Sequence, residues 1–255
     1  MSLPSGAAPG PALLEVAVVG PRDVPGAQEG GADRLRLSAG GPDDLSPEPA
    51  LVSAVCRESA VPVRVVLRLD DSLTTTGGGF QRLAGLGESY VSAGAEGVAF
   101  GFLDRDLEVD VETCAALAER LHGVPWTFSR AVDSVLEPHR AWRRLPALPG
   151  LTAVHSAGSP QGLGVGYDDL LALAGEPGVA ALLMPGGGLA AEQVPWFVRA
   201  GVRQFHLDVQ ARPGGSEKAY VDVALVRSWR LLLDDAVAAA EARPGGTSGT
   251  GRTTA

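Results

Sequence analysis

Thr127-Phe128-Ser129-Arg130-Ala131-Val132-Asp133 closes an apolar run that begins at Val124 and reads as a buried strand through Phe128. The stretch ends on a charged pair, Arg130 and Asp133, with a helical segment at Val135 to Leu145 that is interrupted by, or begins near, Pro138. In a parallel α/β protein the C-terminal ends of strands bring side chains from several elements together, so a charged pair here marks where chemistry sits. The other strands can be counted outward from it.

Upstream, Leu13–Val18, Arg34–Leu37, Pro62–Arg68 and Gly97–Gly101 read as strands one to four; their short, nearly continuous apolar character suits strands covered on both faces. Downstream, Leu151–His155, Val179–Met184 and Gln204–Asp208 read as strands six to eight. Helical patterns at Pro47–Ser59, Phe80–Ala93, Asp110–Leu121, Gly166–Ala174, Ala190–Ala200 and Ser216–Ala242 fall between or after them. Asp110 is the expected cap of its helix, and Pro195 makes the Ala190–Ala200 helix start late or kink. Eight strand-like runs at a spacing of roughly 28 residues point to a single-domain (β/α)8 TIM-type barrel over residues 13–242. A doubly wound open sheet would want a glycine fingerprint after strand one, and Val18-Val19-Gly20-Pro21 does not supply it. Residues 1–12 and 243–255, rich in Gly, Pro, Ser and Thr, are expected to be disordered.

The net charge of −9, with Lys218 the single lysine, argues against nucleic acid as a partner. No signal-peptide pattern opens the chain and no apolar run is long enough for a membrane helix, so a cytoplasmic protein without membrane contacts is expected. Cys56 and Cys114 lie far apart in helical segments, with no CxxC or CxH neighbour; they read as buried small hydrophobes.

The strand ends collect the polar candidates. Glu15 lies on strand one, Arg68 ends strand three, Arg130 and Asp133 follow strand five, and His155 and Ser156 end strand six. Gly186, Gly187 and Gly188 follow strand seven, and His206 and Asp208 end strand eight. Two arginines converging on one mouth suit a small anionic ligand, because a guanidinium fork matches carboxylate or phosphate. On this reading Arg68, Arg130, Asp133, Ser156 and the three glycines bind the ligand, and Glu15 and His206 are the acid/base candidates. Each has a second reading: Glu15 with Arg68 as a structural ion pair, Arg130 with Asp133 as a pair across one turn, His206 as a core histidine, the glycines as a tight turn. His155 with Ser156 lacks a third member for a catalytic triad. The loop Asp70–Gly79, rich in hydroxyls, reads as solvated. Copper(I) would want thiolate or thioether, and Met184 is the sulfur nearest this mouth.

Taken in order, these pieces resemble the CutC family, named for copper homeostasis. The resemblance runs from about Leu13 to about Asp234 and rests on Leu13-Leu14-Glu15, Gly31-Ala32-Asp33-Arg34, Arg68, Thr127-Phe128 with Arg130-Ala131 and Asp133, Ser156 to Gly158, Met184 to Leu189, and Ala200-Gly201-Val202 followed by His206. It implies a TIM-type barrel, a cytoplasmic homo-oligomer and an association with copper. It also exposes departures. Ala17, Val18 and Ser38 stand where the family offers cysteines, Ser129 where its central motif has histidine, and Leu207-Asp208 where serines follow the strand-eight histidine; Leu69 to Gly79 replaces a shorter turn. Copper therefore enters by resemblance only. An enzyme or binding protein for a small anionic metabolite, and a non-catalytic scaffold, are the alternatives.

Overall fold

The computed structural model describes residues 11–41 and 43–242. The expected disorder of residues 1–10 and 243–255 lies outside them; Ala12, within the segment expected to be loose, is buried. Eight parallel strands form the barrel wall: β1 Leu13–Val18, β2 Arg34–Leu37, β3 Val63–Val66, β4 Gly97–Phe100, β5 Trp126–Phe128, β6 Leu151–Ser156, β7 Leu183–Pro185 and β8 Gln204–Leu207. Hydrogen-bonded neighbours run β7-β6-β5-β4-β3-β2-β1-β8. β7 and β8 stand side by side without a ladder. The Gln204 side-chain amide spans the seam, donating to Thr152 O at 3.0 Å and Ala181 O at 3.2 Å.

The strands have two faces because successive side chains alternate. Leu14, Val16 and Val18 of β1, Leu35 and Leu37 of β2, Val98 and Phe100 of β4, and Trp126 and Phe128 of β5 join the apolar core between wall and helices. The Phe100 and Trp126 rings stack with centroids 4.1 Å apart. The intervening residues face the lumen, and many are polar: Glu15, Arg34, Arg36, Arg64, Thr127, His155 and His206 are all buried. Register places Glu15 opposite both Arg34 and His206, and His155 opposite Met184.

Three elements differ from expectation. Val179–Leu182 is a short helix and only Leu183–Pro185 is strand; a brief apolar run cannot be told from a buried helical turn by periodicity. The helix behind β5 does begin at Pro138, as read, and spans Pro138–Arg144 after a 3-10 turn at Arg130–Ser134. A helix at Val24–Gly30 was hidden by its own Pro25, Gly26 and Gly30. Those glycines serve close packing: a Cβ on Gly26 would lie 2.1 Å from Val221 O, and one on Gly30 would lie 2.4 Å from Val226 Cβ. The final helix spans Val223–Glu241 and begins later than Ser216, at Asp222, whose side chain accepts from Leu225 N. Pro195 does sit in the first turn of its helix, Val194–Arg199, after a 3-10 turn.

Candidate functional site

The lower lumen is an ion cluster. The Glu15 carboxylate accepts from Arg34 Nε at 2.5 Å and lies 2.9 Å from His206 Nδ1. Arg34 Nη2 reaches Met184 Sδ at 3.4 Å. Arg64 donates to Thr127 Oγ1 at 2.7 Å and pairs with Glu96 at 3.4 Å. Burial alone would raise the Glu15 pKa, but Arg34, His206 and Arg64 hold it well below the usual carboxylate range. Glu15 and His206, the expected acid/base candidates, are 0% and 1% exposed and lie in the sealed interior rather than at the mouth. Glu15 does form an ion pair, but with Arg34, not Arg68.

On the β5–β6 side, Asp133 is a clasp. Its carboxylate accepts from Arg130 Nε at 2.8 Å, Ser156 Oγ at 2.6 Å, and the Ala157 and Gly158 amides at 3.1 Å. Burial pushes its pKa up, opposed by Ser156, Arg130 and Ala157. Arg130 also donates to Ser159 O and Pro160 O. Ser156 therefore ties the β6 turn and does not line open space. The Gly186 amide donates to Ser156 O, and Gly187 O accepts from Leu163 N. Gly186 also makes room for a histidine: a Cβ there would lie 2.4 Å from His155 Nε2.

The β8–β1 side of the mouth is closed by a pair that sequence reasoning missed. Asp23 accepts from both Nη atoms of Arg212, at 3.2 and 3.0 Å, and from the Val19 and Val221 amides. The mouth consequently opens off-axis, above β2 to β6. There a cavity of about 380 Å³ is lined by Arg36, Arg68, Arg130, His155, Asp44 and Ser129, by Asp70, Ser72 and Thr74 to Thr76 of the long loop, and by apolar side chains including Leu83, Phe100 and Phe102.

Of the residues expected to bind ligand, Arg68 and Arg130 line this cavity, whereas Asp133, Ser156 and the three glycines stand behind its wall. Arg68 lies beyond the end of β3, and its guanidinium is held by Asp70 O at 2.8 Å and Asp71 O at 3.0 Å. Two residues outside the expected set are better placed. Arg36 is 7% exposed and its Nε has no hydrogen-bond partner among the described residues. His155 is 4% exposed, and neither ring nitrogen has a partner. The His155 ring packs on His206 with centroids 4.3 Å apart. The available sequence signal was alternation: Arg34-Leu35-Arg36-Leu37 puts two arginines on one face of an apolar strand.

Burial, then His206, Arg36 and Arg130, hold the His155 pKa well below its ordinary value, so the ring is neutral. The unfolded chain takes up a proton at this residue below about pH 6.5, while the folded chain does not. The stability tied to His155 is thus fully present above about pH 6.5 and is lost as pH falls toward the folded value, by up to about 1.4 kcal/mol per pH unit. Urea unfolding from about pH 7 to 5 is expected to show this slope in the wild type and a flatter one in His155→Gln. Parallel profiles would contradict it.

The residues do not fit a copper(I) centre. Among the described residues no three His, Cys, Asp or Glu side chains gather as a metal would require. Cys114 is buried under Phe102 O with its thiol pushed up to about 12, and Cys56 is half-buried and also raised, both by burial. Met184 is sealed against the Arg34 guanidinium, a cationic neighbour. Among the described residues no helix is long and apolar enough to cross a membrane.

Three comparisons place the chain among known proteins. A CutC protein of Streptococcus agalactiae superimposes with a TM-score of 0.67 at 20% identity, over 76% of this chain and 97% of that one. A family protein CutC of Xanthomonas campestris (strain B100) is 30% identical over 241 residues, covering 88% of this chain and 99% of the relative. The human relative, named copper homeostasis protein cutC homolog, is 29% identical over 214 residues, 78% of this chain and 74% of its own. The CutC family model matches residues 12–211, which takes in all eight strands, and the chain belongs to the CutC family.

Proposed function

We propose that this barrel binds a small anionic molecule in the cavity above β2 to β6, and that it does so without copper(I) as a ligand of its own side chains. Membership of the CutC family associates the chain with copper homeostasis, but among the described residues its sulfurs lie on three different elements, Cys56 and Cys114 on helices and Met184 on β7. The observation that carries the anion reading is that two residues lining the cavity, Arg36 and His155, each keep buried side-chain nitrogens without a partner among the described residues, Nε of Arg36 and both ring nitrogens of His155. A buried polar group without a partner costs about 1–3 kcal/mol, which a bound acceptor would recover. Arg68 and Arg130 add positive charge to the same wall, against a chain whose net charge is −9. The volume of about 380 Å³ lies at the lower end of small-molecule sites.

Calorimetric titration of the full chain with small carboxylates and inorganic phosphate tests this. The wild type is expected to bind at least one, and Arg36→Ala to lose about 10- to 150-fold in affinity, the worth of a hydrogen bond to a charged group. A thermal melt checks that the variant folds, and His155→Gln serves as the second variant. Absence of binding, or binding indifferent to both substitutions, would overturn the reading.

A further inference from the structure

Two aspartates of the chain line the cavity, Asp44 and Asp70; Asp70 accepts from the Ser72 amide, and Asp44 is the one that reaches Arg36. Asp44 lies on the connection between β2 and the helix Pro49–Glu58, lines the cavity, and pairs with Arg36 Nη2 through Oδ2. Its backbone takes φ of 51°, a left-handed conformation that non-glycine residues adopt uncommonly. The side chain is 33% exposed, against 8% for that of Arg36, so the acid approaches the buried arginine from the solvent side.

The pairing leaves Arg36 half used. Nε and Nη2 form one edge of the guanidinium and can hold the two oxygens of a single carboxylate in parallel. Asp44 takes Nη2, while Nε stays buried and unpartnered. A carboxylate arriving through the cavity can occupy both positions. It cannot share them with Asp44, because two carboxylates on one edge repel. The remaining wall agrees with an organic acid rather than a bare inorganic ion. Val66, Leu67, Leu83, Phe100 and Phe102 form an apolar side, and Gly186 to Gly188, the turn that could offer backbone amides to phosphate, does not line the cavity.

We propose that the ligand is an organic carboxylate and that Asp44 is its internal stand-in, which holds Arg36 until the ligand displaces it. This rests on the anion-binding reading above and adds the ligand class and a self-blocking contact. On the connection that carries Asp44, Gly40 and Gly41 both have left-handed φ, 78° and 81°, and the space beside Gly41 is open.

The experiment is a calorimetric titration of the full chain with benzoate and, separately, inorganic phosphate, for wild type, Asp44→Ala, Asp44→Asn and Arg36→Ala. If Asp44 holds Arg36 in about nine molecules of ten, removing it tightens benzoate binding about tenfold. Asp44→Ala and Asp44→Asn are both expected to show this gain, with phosphate gaining less. Binding by the wild type that depends on Arg36 but is unchanged or weakened in both Asp44 variants would overturn the stand-in and leave anion binding intact. Phosphate binding more tightly than benzoate throughout would overturn the carboxylate assignment alone. Absence of binding in every protein would overturn both readings. Asp44→Asn preserves size and tests the charge even if the alanine variant fails to fold.

Discussion

Replacing Glu15 by alanine is expected to lower the unfolding free energy by about 3–5 kcal/mol, and Tm by about 10 °C for a domain of this size. The reason lies in what remains. Arg34 is 5% exposed, and without Glu15 its contacts reduce to Met184 Sδ. Arg64 lies close enough that Arg34 and burial together depress its pKa, so two guanidinium groups would face one another in a closed lumen with the central carboxylate gone. His206 would lose its partner as well. Glu15→Gln keeps the shape and should fall between alanine and wild type. A double replacement of Glu15 and Arg34 by methionine should cost less than Glu15→Ala, because removing a whole buried pair spares the lone charge. Because the Glu15 pKa is held low, its contribution is present above about pH 4.5 and is lost as pH falls toward the folded value. Urea unfolding at neutral pH measures the first effect; a change under about 0.5 kcal/mol, ordinary for a surface position, would contradict the cluster's role.

Asp133→Ala is expected to cost about 3–4 kcal/mol and to change the mouth as well as the stability. Its carboxylate is the common acceptor for Arg130, Ser156, Ala157 and Gly158. Of these, Arg130 can turn to water, since its side chain is 33% exposed. The Ala157 and Gly158 amides cannot do so easily, because their turn packs on the helix Leu163–Ala174: a Cβ on Gly158 would lie 2.4 Å from Gly166 O. Asp133→Asn should recover only part of the loss, as one half of its amide presents donors to donors. Anion affinity should fall too, since Arg130 lines the cavity and loses the bond that orients it. A denaturation curve and a titration on the same variant check both; unchanged stability would mean that the turn does not depend on the clasp.

The fold was legible because each strand is short, apolar and followed by a helical pattern or a long turn. β1 and β2 have the bounds read from the chain, and β8 differs by one residue. The helix at Val24–Gly30 was not legible because glycines that permit close packing are, as residues, helix breakers. The site was legible at coarser grain. The positive charge at the mouth was visible in Arg68 and Arg130, and the Arg130–Asp133 pair in its spacing. What was not visible is depth. Whether a strand residue sits in the sealed lumen, as Glu15 and His206 do, or on the cavity wall, as Arg36 and His155 do, depends on the stagger between strands. It also depends on which loops close the top: Asp23 and Arg212 meet from opposite ends of the chain to shut one side of the mouth.

The most direct test of anion binding uses the four histidines as reporters. His155 lines the cavity and His206 packs on it, while His122 and His139 are exposed on the surface. Imidazole nitrogen resonances followed by NMR during a benzoate titration are expected to show His155 moving to saturation, His122 and His139 still, and no movement of His155 in Arg36→Ala. Movement confined to His122 and His139, or a still His155 at ligand saturation, would contradict the account.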